Sequence, residues 1–219
     1  MGGLVAVLTG DIVKSSSMAP GALDEVFQVL NDAAETIAGW AGPPRPAEIF
    51  ARFRGDGWQF LLTRPSLALR AGLYFRARLF AASKSYDSRI ACGIGKGQVR
   101  RGLEDADGAA FLTSGRLLDG YTRSQRLGIA SDLAPDLQHL AAAIFALAEQ
   151  ISSGWTSRQA MVLAEFLLPQ LPVQADIAAR LNITQQSVSE HLNASGYAAI
   201  LQAIESFEGL NVWDDYSAE

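Results

Sequence analysis

Hydrophobic and polar positions follow two different periods along this chain. Leu4 to Leu8 is an unbroken apolar run closed by Thr9-Gly10-Asp11, the pattern of a buried strand. From Leu23 to Ile37 the apolar positions are Leu23, Val26, Phe27, Leu30, Ala33, Ala34 and Ile37, the i, i+3, i+4, i+7 spacing of an amphipathic helix. Gly39 to Pro46 is a Gly/Pro break. Glu48 to Arg54 then alternates, with Ile49, Ala51 and Phe53 on one side, and Trp58 to Leu62 continues apolar beyond Gly55-Asp56-Gly57. Two such runs around a Gly-Asp-Gly turn predict a β-hairpin. Pro65 opens a helix to about Ala82, with Arg70, Arg76 and Arg78 as a basic outer face. Arg89 to Gly95 reads as a strand that Gly97 to Arg101 extends. Gly93, Gly95 and Gly97 do not form a GxGxxG loop and are read as bulge positions. Ala109 to Leu118 reads as a helix and Leu127 to Ala130 as a short strand.

The order β-α-β-β-α-β predicts an α+β fold, a ferredoxin-like palm whose antiparallel sheet carries its helices on one face. An Ala/Leu-rich helix follows from Asp136 to Gln150, and residues 155–207 are helical in pattern, with the aromatic tail Trp213 to Tyr216 docking back on the body. The expected organisation is an α/β domain over 1–132, a connecting helix over 133–153 and a helix-turn-helix domain over 154–219.

Composition narrows this picture. A 219-residue chain that is 49% hydrophobic and 19% charged is globular with a substantial core. Cys92, the single cysteine, has no partner for an internal disulfide and reads as a buried small hydrophobe within RIACGIG. His139 and His191 are the only histidines, so no Cys/His metal cluster can form. The opening MGGLVAVLTG has no basic segment before it, and Asp11 interrupts it. With no stretch near the ~18 apolar residues of a membrane span, the expected location is the cytoplasm, with no membrane contact.

Two aspartates carry the candidate chemistry. Asp11 follows the first strand and Asp56 tips the hairpin, and this topology can bring the two strand ends side by side. Paired carboxylates at one edge suit magnesium ions that neutralise a polyphosphate. The adjoining Ile12-Val13-Lys14-Ser15-Ser16 offers backbone N–H groups and a lysine to phosphates. The same residues also fit plain turn and capping chemistry, and Trp58 and Phe60 read as sheet packing.

The series TGDIVKSS, FRGDGWQFLL, RIACGIGKGQV and GAAFLTSGRLLDG resembles the class III nucleotidyl cyclase palm over roughly residues 4–120. The opening LTGDIVKSS with a fused helix-turn-helix resembles more closely the SatD-like family. The cyclase resemblance implies that Asp11 and Asp56 are metal aspartates with a place for Mg²⁺. It also implies that Arg116 is the arginine stabilising charge on a transferring phosphoryl group. The asparagine of that helix motif falls on Leu112, and the base-reading lysine falls on Phe50. Neither apolar side chain can orient a ribose or select a purine, so the resemblance implies metal–nucleotide binding more readily than cyclisation.

The second half has its own signature. Thr156 caps SRQAMVLAEFLL, which Pro169 ends, and Val173 to Leu181 forms the next helix. Asn182-Ile183-Thr184 is a tight turn before a third helix in which Val188 and Leu192 point inward. This resembles the sigma-factor and LuxR type of helix-turn-helix over residues 156–194. The resemblance implies that Thr184, Gln185, Gln186, Ser187, Ser189 and Glu190 present to a DNA major groove. Arg158 and Arg180 would meet phosphates.

Charge pulls the other way. Residues 152–219 hold only those two arginines against eight acids, whereas residues 1–151 hold 16 basic and 15 acidic side chains. Affinity for DNA comes largely from Lys and Arg contacts to phosphates. The leading expectation is a homodimeric transcriptional regulator whose degenerate palm senses a nucleotide or another phosphorylated small molecule. The alternatives are a metal-dependent nucleotide-processing enzyme and a protein-interaction module that dimerises through its palm.

Overall fold

A computed structural model describes residues 3–42, 49–53, 55–98 and 102–215. Glu48, Arg54, the stretch 99–101 and Tyr216, which the sequence reading uses, lie outside them. The first apolar run forms strand β1, Leu4–Ile12. Helix α1, Ala22–Ala41, buries Val26, Phe27, Leu30, Ala33, Ala34 and Ile37 of the expected stripe. Strands β2 (Phe50–Phe53) and β3 (Gly57–Leu62) form the expected hairpin, with Phe53 opposite Gly57. A 3₁₀ turn over Pro65–Leu67 leads into α2, Ala68–Ala82, and then β4, Ser88–Gln98. A two-residue strand β5 (Asp107–Gly108), helix α3 (Ala109–Asp119) and strand β6 (Leu127–Ser131) follow. Helices α4 (Pro135–Ser153), α5 (Ser157–Phe166), α6 (Gln174–Arg180), α7 (Gln185–Ala194), α8 (Tyr197–Glu208) and α9 (Val212–Asp215) end the described chain.

The chain is a mixed α/β structure. Strand β1 lies between β3 and β4, antiparallel to both, and β2 flanks β3. Strand β6 joins the far side of β4 in parallel, since α3 carries the chain back to start in the same direction. The period of two sorts the side chains of β1 onto two faces. Ala6, Leu8 and Ile12 join Trp58, Phe60, Cys92 and helices α1 and α2 in the large core, which fits the packing roles read for Trp58, Phe60 and Cys92. Val7 faces the opposite side, where it meets Leu61, Leu103 and Ala110 in a smaller cluster.

Three expectations change here. The helices do not all share one face: α1 and α2 do, but α3 covers the other, where Ser114 bonds Thr9 at 2.7 Å. Gly93 and Gly95 are not bulges, because β4 pairs with β1 in unbroken register from Leu4↔Lys96 to Ile12↔Ser88, and Gly97 beyond it donates to the Gly3 carbonyl at 3.1 Å and pairs with Gly108 of β5. Gly93 and Gly95 let α3 lie close on the strand: a Cβ on Gly93 would sit 2.3 Å from the Ala110 carbonyl oxygen, whereas one on Gly97 would meet the Val5 side chain at 2.4 Å.

The third change concerns α2. Its arginines are not an outer face, for Arg70 and Arg76 are buried. Arg70 donates to both carboxylate oxygens of Glu208, at 2.6 and 3.0 Å, and to the Leu167 carbonyl at 3.2 Å. Arg76, 1% exposed, donates to Ser152 and Ser153 at 3.0 and 3.2 Å and pairs with Asp87 at 3.5 Å. Burial lowers the pKa of Arg76, and the nearby Asp87 charge opposes that shift. Helix α5 lies along α2, and one continuous core runs from Ala6 to Trp213. The helical segment is therefore packed onto the sheet's own helices rather than tethered beside them.

Candidate functional site

Asp11 and Asp56 do come together. The end of β1 is in register with the start of β3, with Asp11 opposite Gly57, and the Ile12 N–H donates to the Asp56 carbonyl at 3.1 Å. Gly10, just before Asp11, leaves room for the Trp58 ring, which a Cβ there would approach to 2.5 Å. Both aspartates line one open cleft of about 620 Å³ between the sheet and α3. Thr9, Gln59 and Ala51 also line it from the strands, and Phe111, Gly115, Leu118 and Asp119 line it from α3. Such a volume suits a small-molecule ligand.

The two carboxylates have different surroundings. Asp11 is held by Arg89 from the neighbouring strand: Nε donates to Oδ1 at 2.7 Å and Nη2 donates to Oδ2. That bonding raises the pKa of Arg89 above the ordinary arginine value, against the opposing effect of burial. Asp56 accepts a short hydrogen bond of 2.5 Å from the Ser15 hydroxyl. Ser88, fully buried, donates its hydroxyl to the Asp11 carbonyl at 2.7 Å and fixes the backbone beneath the pair.

The predicted phosphate loop is met only in part. Ser15 reaches the cleft mouth through Asp56, while Lys14 and Ser16 are exposed. Lys14 has a left-handed backbone, φ 57°, leading into a 3₁₀ turn over Ser15–Ser17. Ile12 does not serve as expected: its side chain lies in the core and its N–H is taken by Asp56. Arg116 is exposed on α3 and does not line the cleft, nor does Leu112, 56% exposed one turn earlier. Phe50 packs against Trp58 with ring centroids 6.0 Å apart.

Magnesium takes one or two carboxylates and completes its shell with water and phosphate oxygens. Among the described residues no three His, Cys, Asp or Glu side chains gather into a cage. Asp11 and Asp56 in one cleft fit a cation that brings its own phosphate oxygens. They do not fit a bare ion, which would have to displace Arg89.

The second candidate surface lies on α7. Thr184 caps it, accepting from the Ser187 N–H at 3.0 Å, and Thr156 with Gln159 forms a capping box on α5. Asn182, φ 54°, turns the chain between α6 and α7. Val188 and Leu192 are buried, while Gln185, Gln186 and Glu190 are exposed and Ser187 and Ser189 half-buried. Gln186 donates to Glu190 at 2.9 Å. Of the two arginines, Arg158 is exposed on α5, whereas Arg180 is paired with Glu165 at 3.0 Å.

Sequence reasoning missed Arg52, Gln59 and Asp119, which line the cleft, and Arg89, which holds Asp11 from outside that lining. Arg89 stood in view at the head of RIACGIG. Its meeting with Asp11 depends on strand pairing across 78 residues, which no local pattern reports. No protein-family model matches the chain, and no curated protein matches it at a significant level.

Proposed function

We propose that the chain is a ligand-responsive transcriptional regulator of the SatD-like kind. On this reading a degenerate, ferredoxin-like cyclase palm senses a nucleotide or another phosphorylated small molecule, with Mg²⁺ at Asp11 and Asp56. A helix-turn-helix over α6 and α7 contacts DNA, and two copies act together in the cytoplasm. The observation that carries the reading is the convergence of Asp11 and Asp56 in one cleft. The strand order β2-β3-β1-β4 supports the palm, and the capped, outward-polar α7 supports the helix-turn-helix.

Within the site, Asp11 and Asp56 hold the cation, which supplies charge neutralisation for the phosphates. Gln59 offers hydrogen bonds from the cleft floor, and Phe111 and Leu118 offer apolar walls. Metal-dependent nucleotide chemistry is the second reading, favoured by the same two carboxylates. Against it stand Leu112, Phe50 and Arg116, none of which reaches the cleft.

The test is DNA binding by the whole chain to the sequence upstream of its own coding region, at stepped salt, with and without Mg²⁺ and ATP or GTP. Counting Arg158 alone, because Arg180 is exposed but held by Glu165, two copies predict a log K against log salt slope of about −2, flattened by Arg158→Ala. A several-fold change in affinity with nucleotide is expected. Absent or salt-insensitive binding, or binding indifferent to both nucleotides, rejects the reading.

A further inference from the structure

The bond between Arg89 and Asp11 has a consequence for what the cleft accepts. The guanidinium covers both carboxylate oxygens, and the two side chains are only 32% and 23% exposed. A divalent cation arriving alone must break this fork and leave Arg89, a like charge, beside it. A phosphate arriving alone meets Asp11 and Asp56 as like charges, while Arg89 is engaged by Asp11 and Arg52, in the cleft wall, by Asp24 at 3.0 Å. When the two arrive together, the cation takes Asp11 and a phosphate oxygen takes the guanidinium. Arg89 then exchanges the two oxygens of a carboxylate for two oxygens of a phosphate, either pair of which its fork can meet.

The backbone need not move for this exchange. Asp11 and Arg89 are paired residues on adjacent strands, and the Ser88 hydroxyl fixes the Asp11 carbonyl. We propose that Arg89 makes cation and phosphate binding in the cleft mutually dependent, so that the ligand taken is a polyphosphate carried as its metal chelate. This rests on the reading of the cleft as a phosphorylated-ligand site, and it assigns Arg89 as the positioning residue that selects the chelated form.

Titration calorimetry on the full chain tests it, with Mg²⁺ alone, inorganic pyrophosphate alone in chelator, and the two together. The association of Mg²⁺ with pyrophosphate in the same buffer is measured and subtracted. The native chain should bind pyrophosphate at least about tenfold more tightly with Mg²⁺ than without, within the usual range of coupling between sites. Arg89→Gln should bind Mg²⁺ alone more tightly than the native chain and lose most of that enhancement. Asp11→Asn, which frees Arg89 without removing it, should bind metal-free pyrophosphate more tightly and lose the metal dependence. Circular dichroism establishes that each variant is folded, and either folded variant decides the question. Full enhancement in Arg89→Gln, or unchanged metal dependence in Asp11→Asn, overturns the role of Arg89 and leaves the cleft a phosphate site. Equal binding of pyrophosphate with and without Mg²⁺ by the native chain does the same. Failure of the native chain to bind pyrophosphate in any form removes the phosphate site itself, and this inference with it.

Discussion

Single residues in this protein are constrained most tightly where backbones touch. Gly93 is the sharpest case, since α3 crosses β4 with a carbonyl oxygen 2.3 Å from where a methyl group would lie. Gly93→Ala must therefore push α3 off the strand, and overpacking of this kind costs about 1–3 kcal/mol. Urea denaturation of the variant against the native chain measures the loss, and an unchanged midpoint would mean that α3 shifts freely. The sequence shows a run of alternate glycines here, and glycine in a strand marks either a bulge or a close approach. Only the contact with α3 separates the two. Asp11 and Asp56 were legible because each stands beside glycine where an apolar or alternating run closes. Arg89 was not, because a strand's register with its neighbour is written nowhere in its own residues.

At the scale of elements, the helices were read well and their surroundings less so. Helix α1 lies where its apolar period places it, and α7 begins at its threonine cap. Thr184→Ala removes the acceptor for the Ser187 N–H and should cost about 1 kcal/mol, with Thr184→Asp retaining most of the stability. Thermal unfolding of the two variants distinguishes capping from a general loss of packing. Helix α2 shows where pattern fails. Its arginines looked like a solvated face, yet Arg70 and Arg76 turn inward to Glu208, Asp87 and the hydroxyls of Ser152 and Ser153. An arginine bound for water and one bound for a buried carboxylate look alike in a periodicity. The carboxylate on Glu208 arrives from 138 residues away.

Across the whole molecule, the succession of strands and helices followed from the alternation of periods, while the mutual packing of the two halves did not. Helix α4 shows the same lesson from outside. Its inner stripe of Ala141, Phe145, Ala148 and Ser152 is buried, while Leu140 and Leu147, seven residues apart on the neighbouring stripe, are 53% and 68% exposed. A 3.5-residue apolar repeat is the spacing by which one helix meets another. The prediction at this scale is that these leucines supply the seam of the proposed dimer. Leu147→Asp should then shift the protein from dimer to monomer by light scattering while its circular dichroism is unchanged, and a dimer that persists places the contact elsewhere.

The enclosure of α2 also bears on how this chain could have been assembled over evolutionary time. Recombination near residue 133 would strip the outer side of α2, leaving Arg70 without Glu208, Arg76 with Asp87 alone of its partners, and a row of apolar side chains uncovered. Exchanging the helical half for a foreign one would therefore require α2 to be rewritten at the same time.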